Sequence, residues 1–259
     1  MQSRLRKCAS VAAISALGVA VLWGLCRWAD IRARYQDELD HTMVEAVYQN
    51  DAREVRRLLA LGANPNEPDT YPKLSSVTRY LNRLLNHETG PEAGILPLFA
   101  AFSDPHSDSA TFSNGDVVKA LLEYGGDPNA RNSYNETPLM LACRHGNNRS
   151  IRALAENGAD VNARDNYKTT PLLLAVNVRD PQPIKSLIEH GADVNEVDSS
   201  GDTPLMCAIL YYNKPFAEIM IRAHCDVNRR SSSGDTALSM ARRNGSEKIA
   251  RMLIRAGAR

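Results

Sequence analysis

Signatures of catalysis are missing from this 259-residue chain. It has no phosphate-binding glycine loop, no His-Glu-x-x-His pair, no Gly-x-Ser-x-Gly elbow and no Cys-x-x-Cys. Cysteine is scarce and odd in number: Cys8 and Cys26 bound an apolar run, leaving Cys143, Cys207 and Cys225, too scattered for a disulfide framework. The six histidines are dispersed. His106, between Asp104 and Asp108, is the nearest approach to a ligand set, and in so polar a stretch it reads as a solvated loop. His145 and His190 have no nucleophile to serve as a base for. No catalytic residue, metal or cofactor is expected. Basic residues lack interleaved aromatics and a base-reading motif, which excludes nucleic acid as the expected partner. Long apolar runs are missing too, with the single exception of residues 8–26.

What the chain does have is a period. Thr137-Pro138-Leu139, Thr170-Pro171-Leu172, Thr203-Pro204-Leu205 and Thr236-Ala237-Leu238 recur every 33 residues, and Gly158-Ala159-Asp160, Gly191-Ala192-Asp193 and His224-Cys225-Asp226 follow at a fixed distance. A fixed spacing over three intervals means a repeat array. Within one unit, Thr137 is a helix N-cap and Pro138 suits the first helical position. Leu139–Cys143 predicts a short apolar helix, which Arg144-His145-Gly146-Asn147 breaks. Arg149–Glu156 predicts a second helix with Ile151 and Leu154 on one face, stopped by Asn157-Gly158. The rest of the unit is polar and turn-rich. One unit cannot bury its own apolar face, so it must stack on neighbours. Cys143 and Cys207 fall on core positions, where a free thiol packs as a small hydrophobe.

This pattern resembles the ankyrin repeat, down to Val161-Asn162, Val194-Asn195 and Val227-Asn228 after the Gly-Ala-Asp position. The family's Thr-Pro-Leu-His histidine is replaced by Met140, Leu173, Met206 and Ser239, so its bracing role is not carried over. The finger glycine is kept as Gly201 and Gly234 but replaced by Asn135 and by Lys168, where a positive φ would be strained. The resemblance implies an all-α solenoid of about six helix-turn-helix units with hairpin fingers, covering residues 41–259. Repeats fall near 41–67, 96–132, 137–165, 170–198, 203–231 and 236–259, with an insertion at 68–94. Ser75–His87 predicts an extra short helix inside that insertion, and a Ser/Asp-rich excess around Ser103–Asn114 separates the helices of repeat two. Asp180-Pro181-Gln182-Pro183 reads as a rigid turn.

Before the array lie a basic flank (1–7, with Arg4, Arg6 and Lys7), the uncharged run 8–26, and a connector (27–40). Nineteen uncharged residues nearly span a hydrocarbon core of about 30 Å, and Trp23 and Trp28 sit where an interfacial belt would be. A transmembrane signal anchor is the expectation. A cleaved secretory signal is the competing reading, though Val21–Leu25 would then leave an apolar mature terminus; a buried helix capping the array is the third. Arg4, Arg6, Lys7 and the α-amino group precede the run, and Arg27, Arg32 and Arg34 follow it, a slight excess before it. That places the N-terminus in the cytoplasm and the repeats on the periplasmic side.

With no site chemistry, function falls to the surface. The resemblance implies docking on a concave side made of finger tips and first-helix edges. By position these are Ser133, Tyr134 and Glu136; Asn166, Tyr167 and Thr169; Ser199, Ser200 and Asp202; then Arg144, His145, Asn177, Val178, Leu210 and Tyr211. Tyrosine and arginine anchor interfaces, so a patch centred on Tyr134, Tyr167 and Tyr211 is the expected protein-binding site. The resulting reading is a membrane-anchored, non-enzymatic protein-binding module, in family context an immunity-type inhibitor of an envelope or secreted protein. A cytoplasm-facing scaffold is the alternative. For it, the nine Lys/Arg against three Asp/Glu from Arg222 onward would touch anionic lipid or an acidic partner. The same basic end equally suits the soluble cap that a terminal repeat requires.

Overall fold

The computed structural model describes residues 27–29, 31–68, 96–102 and 114–259. The basic flank, the apolar run 8–26, the predicted helix in Ser75–His87 and the loop containing His106 lie outside them. Among the described residues no helix is long and apolar enough to cross a membrane.

The described chain is helical, in pairs. Helix α1 (31–48) and α2 (Ala52–Ala60) form the first pair, α3 (Pro97–Ala100) and α4 (Gly115–Glu123) the second. Then come α5 (Pro138–His145) with α6 (Asn148–Glu156), and α7 (Pro171–Leu174) with α8 (Gln182–Glu189). The last pairs are α9 (Pro204–Leu210) with α10 (Lys214–Arg222), and α11 (Ala237–Arg243) with α12 (Glu247–Arg255). Odd-numbered helices form one layer and even-numbered helices the other. A single core runs between them from Leu39 to Leu253, each pair burying its apolar face on the next.

Local chemistry sets each pair. Thr137, Thr170, Thr203 and Thr236 accept from the backbone N–H three residues on, at 3.4, 3.4, 3.3 and 3.2 Å. Where the family's histidine is missing, Met140 and Ser239 partly replace it: the Met140 sulfur and the Ser239 hydroxyl accept from the N–H of Thr137 and Thr236, at 3.4 and 3.0 Å. Asn147 and Asn213 cap α6 and α10.

Three local expectations are corrected. Arg144 and His145 do not break α5 but form its last turn, and Gly146 ends it at φ 66°. The connector is not a separate segment, because 31–48 is one helix with Leu39, Met43, Val44 and Val47 buried along one face. Pro183 lies in the first turn of α8, with only Asp180-Pro181 outside it; α7 stops at Leu174, and Ala175–Asn177 tightens to a 3-10 turn.

Neighbouring repeats are also joined by a ladder of asparagines. Asn129 donates to the Gly158 carbonyl at 3.0 Å and accepts from the Asp160 N–H at 2.8 Å. Asn162 does the same with Gly191 and Asp193, at 3.1 and 2.8 Å. Asn66 bridges to Gly125 and Asp127, and Asn228 to Gly257 and Arg259. Asn195 accepts from the Asp226 N–H at 2.7 Å, where His224 replaces the glycine. In the first pair, α1 itself supplies the rung from two side chains. Gln36 donates to the Gly62 carbonyl at 2.7 Å, while Asp40 accepts from the Asn64 N–H at 2.6 Å.

Two outcomes follow from this packing. Asn162→Ala removes both bonds of an interior rung and should lower unfolding stability by about 1–3 kcal/mol in a denaturant titration; an unchanged midpoint would mean the rungs do not hold the stack. A Cβ added at Gly146 would stand 2.7 Å from Val178 Cγ1, at a positive φ. Gly146→Ala should therefore destabilise by about 1–3 kcal/mol, and adding Val178→Ala should recover the clash but not the backbone strain.

Candidate functional site

The surface expected to bind is built from the turns that close each repeat and the ends of the first helices. In each turn one short acceptor pins the tip. The Asn132 side-chain oxygen accepts from the N–H groups of Tyr134 and Glu136, both at 2.9 Å. Asp165 does this for Tyr167 and Thr169, and Asp198 for Ser200 and Asp202. A backbone bond closes each loop, from Asn132 to Glu136, Asp165 to Thr169, Asp198 to Asp202 and Ser231 to Asp235. The turns are tighter than hairpins: among the described residues no strand forms, and a single bridge joins Arg230 and Thr236.

Each turn needs one residue at positive φ. Asn135 (62°), Lys168 (61°), Gly201 (75°) and Gly234 (82°) occupy that place, so Lys168 carries the strain its sequence position implies. Adjacent turns are tied laterally, Asn166 donating to the Tyr134 carbonyl at 3.2 Å and Ser232 to the Ser200 carbonyl at 3.1 Å. The result is a row of rigid turns whose tip side chains point away from the core.

The predicted residues divide. Tyr134, Tyr167 and Tyr211 are 61%, 66% and 61% exposed, which rules out their packing away against neighbouring turns, and Leu210 is 44% exposed. Asn177 is exposed as well. Val178 is half-buried against Gly146 of the preceding repeat. Glu136 is buried in an ion pair with Arg144 and accepts from Asn132 Nδ2 at 2.8 Å. Burial alone would raise the Glu136 pKa; the hydrogen bonds from Asn132 and Arg144, with the guanidinium charge, outweigh it and hold the carboxyl below its usual range. His145 is pushed below its ordinary value by desolvation and by the neighbouring Arg144.

Sequence reasoning missed Tyr212, which is 64% exposed beside Tyr211 with φ 57°. The signal was present in the period, since Tyr212 stands where repeats three and six have Gly146 and Gly245. It also missed that Arg243, one of the basic residues at the end of the array, pairs with Asp235 as Arg144 does with Glu136.

No reaction chemistry gathers on this face. Among the described residues no three His, Cys, Asp or Glu side chains come together to hold a metal. Cys143, Cys207 and Cys225 are free and buried. Burial raises all three thiols, Cys207 to about 12 and Cys225 to about 11, with Asp198 and Asp202 adding to the rise at Cys207. A thiol held that high is inert packing.

Comparison with known proteins accounts for the architecture. A family model described as ankyrin repeats matches three times, over residues 19–165, 99–198 and 172–259. The crystal structure of an ankyrin repeat domain from Acinetobacter baumannii AYE superposes with a TM-score of 0.68 at 22% identity, covering 85% of this chain and 99% of that one. A 59-residue stretch is 39% identical to the probable E3 ubiquitin-protein ligase XBOS33 of Oryza sativa subsp. japonica, spanning 23% of this chain and 11% of that protein. Ankyrin repeats generally mediate protein–protein interaction. With its Thr-capped helix pairs, asparagine rungs and pinned turns, the chain belongs to the ankyrin-repeat family.

Proposed function

We propose that this chain binds another protein through the concave ankyrin face, with Tyr134, Tyr167, Leu210 and Tyr211 as apolar anchors, and that residues 8–26 hold it at a membrane. The observation that carries the reading is the exposure of Tyr134 and Tyr167 on equivalent, pinned turns of adjacent repeats. Side chains on turns already fixed lose little entropy when a partner docks. Arg144 and His145 edge the same face.

Support for the membrane end comes from the start of the described chain. Trp28, Ile31 and Tyr35 lie three and four residues apart and are 59%, 61% and 57% exposed, and Arg32 stacks 5.2 Å from the Trp28 ring centroid. Exposed aromatics with arginines beside an uncharged run suit the headgroup level. Helix α1 runs from there into the array, so an anchor at 8–26 would hold the repeats close to the bilayer. On this reading the repeats face the periplasm and the chain acts as an immunity-type inhibitor of an envelope or secreted protein. The cytoplasm-facing scaffold has its own observation: Arg229, Arg230, Arg242 and Arg243 are all exposed at the end of the array.

A topology reporter fused after Arg259 separates the two. Export with membrane retention, lost on deleting 8–26, is the expected outcome; a cytoplasmic, membrane-bound reporter would overturn the inhibitor reading. The double substitution Tyr134→Ala with Tyr167→Ala should weaken binding to a partner trapped by proximity labelling by about tenfold or more. It should leave the melting temperature in place. Unchanged affinity would remove the tyrosines from the interface.

A further inference from the structure

Repeat five departs from repeats three and six at three places between Asp202 and Tyr212. In repeats three and six the acid at the root of the turn is clamped by an arginine eight residues on, Glu136 by Arg144 and Asp235 by Arg243. Repeat four has neither member, with Thr169 and Asn177 at those positions. Repeat five keeps the acid, Asp202, but has Leu210 where the arginine would be. Asp202 is left without an ion pair among the described residues, and its Oδ1 is buried with no hydrogen-bond partner. Burial and the nearby carboxylates of Asp198 and Asp235 raise its pKa, as an uncompensated charge requires.

The third departure is backbone strain. Gly146 and Gly245 end the first helices of repeats three and six at φ 66° and 65°, whereas repeat five places Tyr212 there at 57°. A bulky residue in the left-handed region is an outlier that a glycine would relieve. Leu210, Tyr211 and Tyr212 close helix α9, each 44% exposed or more.

Resting on the docking surface proposed above, we propose that repeat five is the specificity pocket of this face. It takes a cationic side chain, arginine or lysine, from the partner protein: the charge compensates Asp202 in place of the missing arginine, and the aliphatic stem lies against Leu210, Tyr211 and Tyr212. A charged head on an apolar stem matches an unpaired acid whose following helix ends in an exposed leucine and two exposed tyrosines. The partner is therefore a protein with an exposed basic residue flanked by apolar ones.

The test selects a random displayed peptide library on the full-length chain and on Leu210→Arg, which restores the clamp of repeats three and six. Peptides held by the native chain should be enriched in arginine or lysine next to an apolar residue, and Leu210→Arg and Asp202→Asn should each weaken them by about tenfold or more. Glu218→Gln, at an acid already paired with Lys248 in the second-helix layer, should leave their affinity unchanged. Tyr212→Gly should raise the melting temperature while weakening the same peptides. Selection of peptides without a basic residue, of none at all, or of peptides that survive both Leu210→Arg and Asp202→Asn overturns the proposal. If such peptides still lose affinity on Tyr134→Ala with Tyr167→Ala, the docking face stands and the cationic pocket alone falls.

Discussion

An asparagine that bonds forward into the next repeat is the constraint on which the rest of this structure depends. Apolar packing between helix layers supplies most of the stabilisation of a solenoid, but packing alone is tolerant of sliding and rotation. The side-chain amide of Asn129 or Asn162 donates one N–H and accepts at its oxygen, each bond aimed at a different backbone group of the following repeat. Satisfying both fixes the register of one unit on the next. The arrangement also explains the period: it brings Gly-Ala-Asp and the asparagine two residues later back at the same spacing, because each rung is made by one repeat and received by another. In the first pair, α1 divides the two bonds between Gln36 and Asp40, so the N-terminal turns of that helix take the place of an asparagine rung.

Most of the scaffold was legible because its rules are local. A threonine before proline, a glycine where the chain must turn left-handed, and apolar residues three and four apart each dictate their own geometry. That was enough to place the paired helices from Pro138 onward. The limits of helices were less legible. Arg144 and His145 looked like breakers because they are polar, yet polarity does not end a helix; the left-handed Gly146 does. The connector was read as separate because Tyr35–Asp40 is polar, whereas the buried stripe through Leu39, Met43 and Val47 continues across it. Gln36 and Asp40 could not be recognised as a rung, since nothing in their spacing resembles the asparagine they replace.

The proposed binding face was legible in position but not in state. The period alone puts Tyr134 and Tyr167 at equivalent turn tips. It cannot say that Glu136 is consumed by Arg144 while Asp202 is not, because that depends on which side chains reach one another across eight residues. Comparing repeats with each other supplies the missing information. In an array of near-identical units, repeats three and six show the relaxed solution, and the places where repeat five abandons it, at Leu210 and Tyr212, stand out against that background. Stability and the proposed recognition thus fall on different residues: the rungs, caps and buried leucines are shared between repeats, and the exposed tyrosines and the unclamped acid are not.

Hydrogen exchange at single-residue resolution tests the rung account most directly. The residues Asp160, Asp193 and Asp226 are exposed, yet each backbone N–H donates to an asparagine of the preceding repeat. These three amides should exchange as slowly as the interior of the second helices and should be released with the same opening event, since breaking a rung means separating two repeats. Exchange at rates typical of solvent-exposed loops, while the helices stay protected, would show that the stack is held by apolar contact alone and would contradict the account.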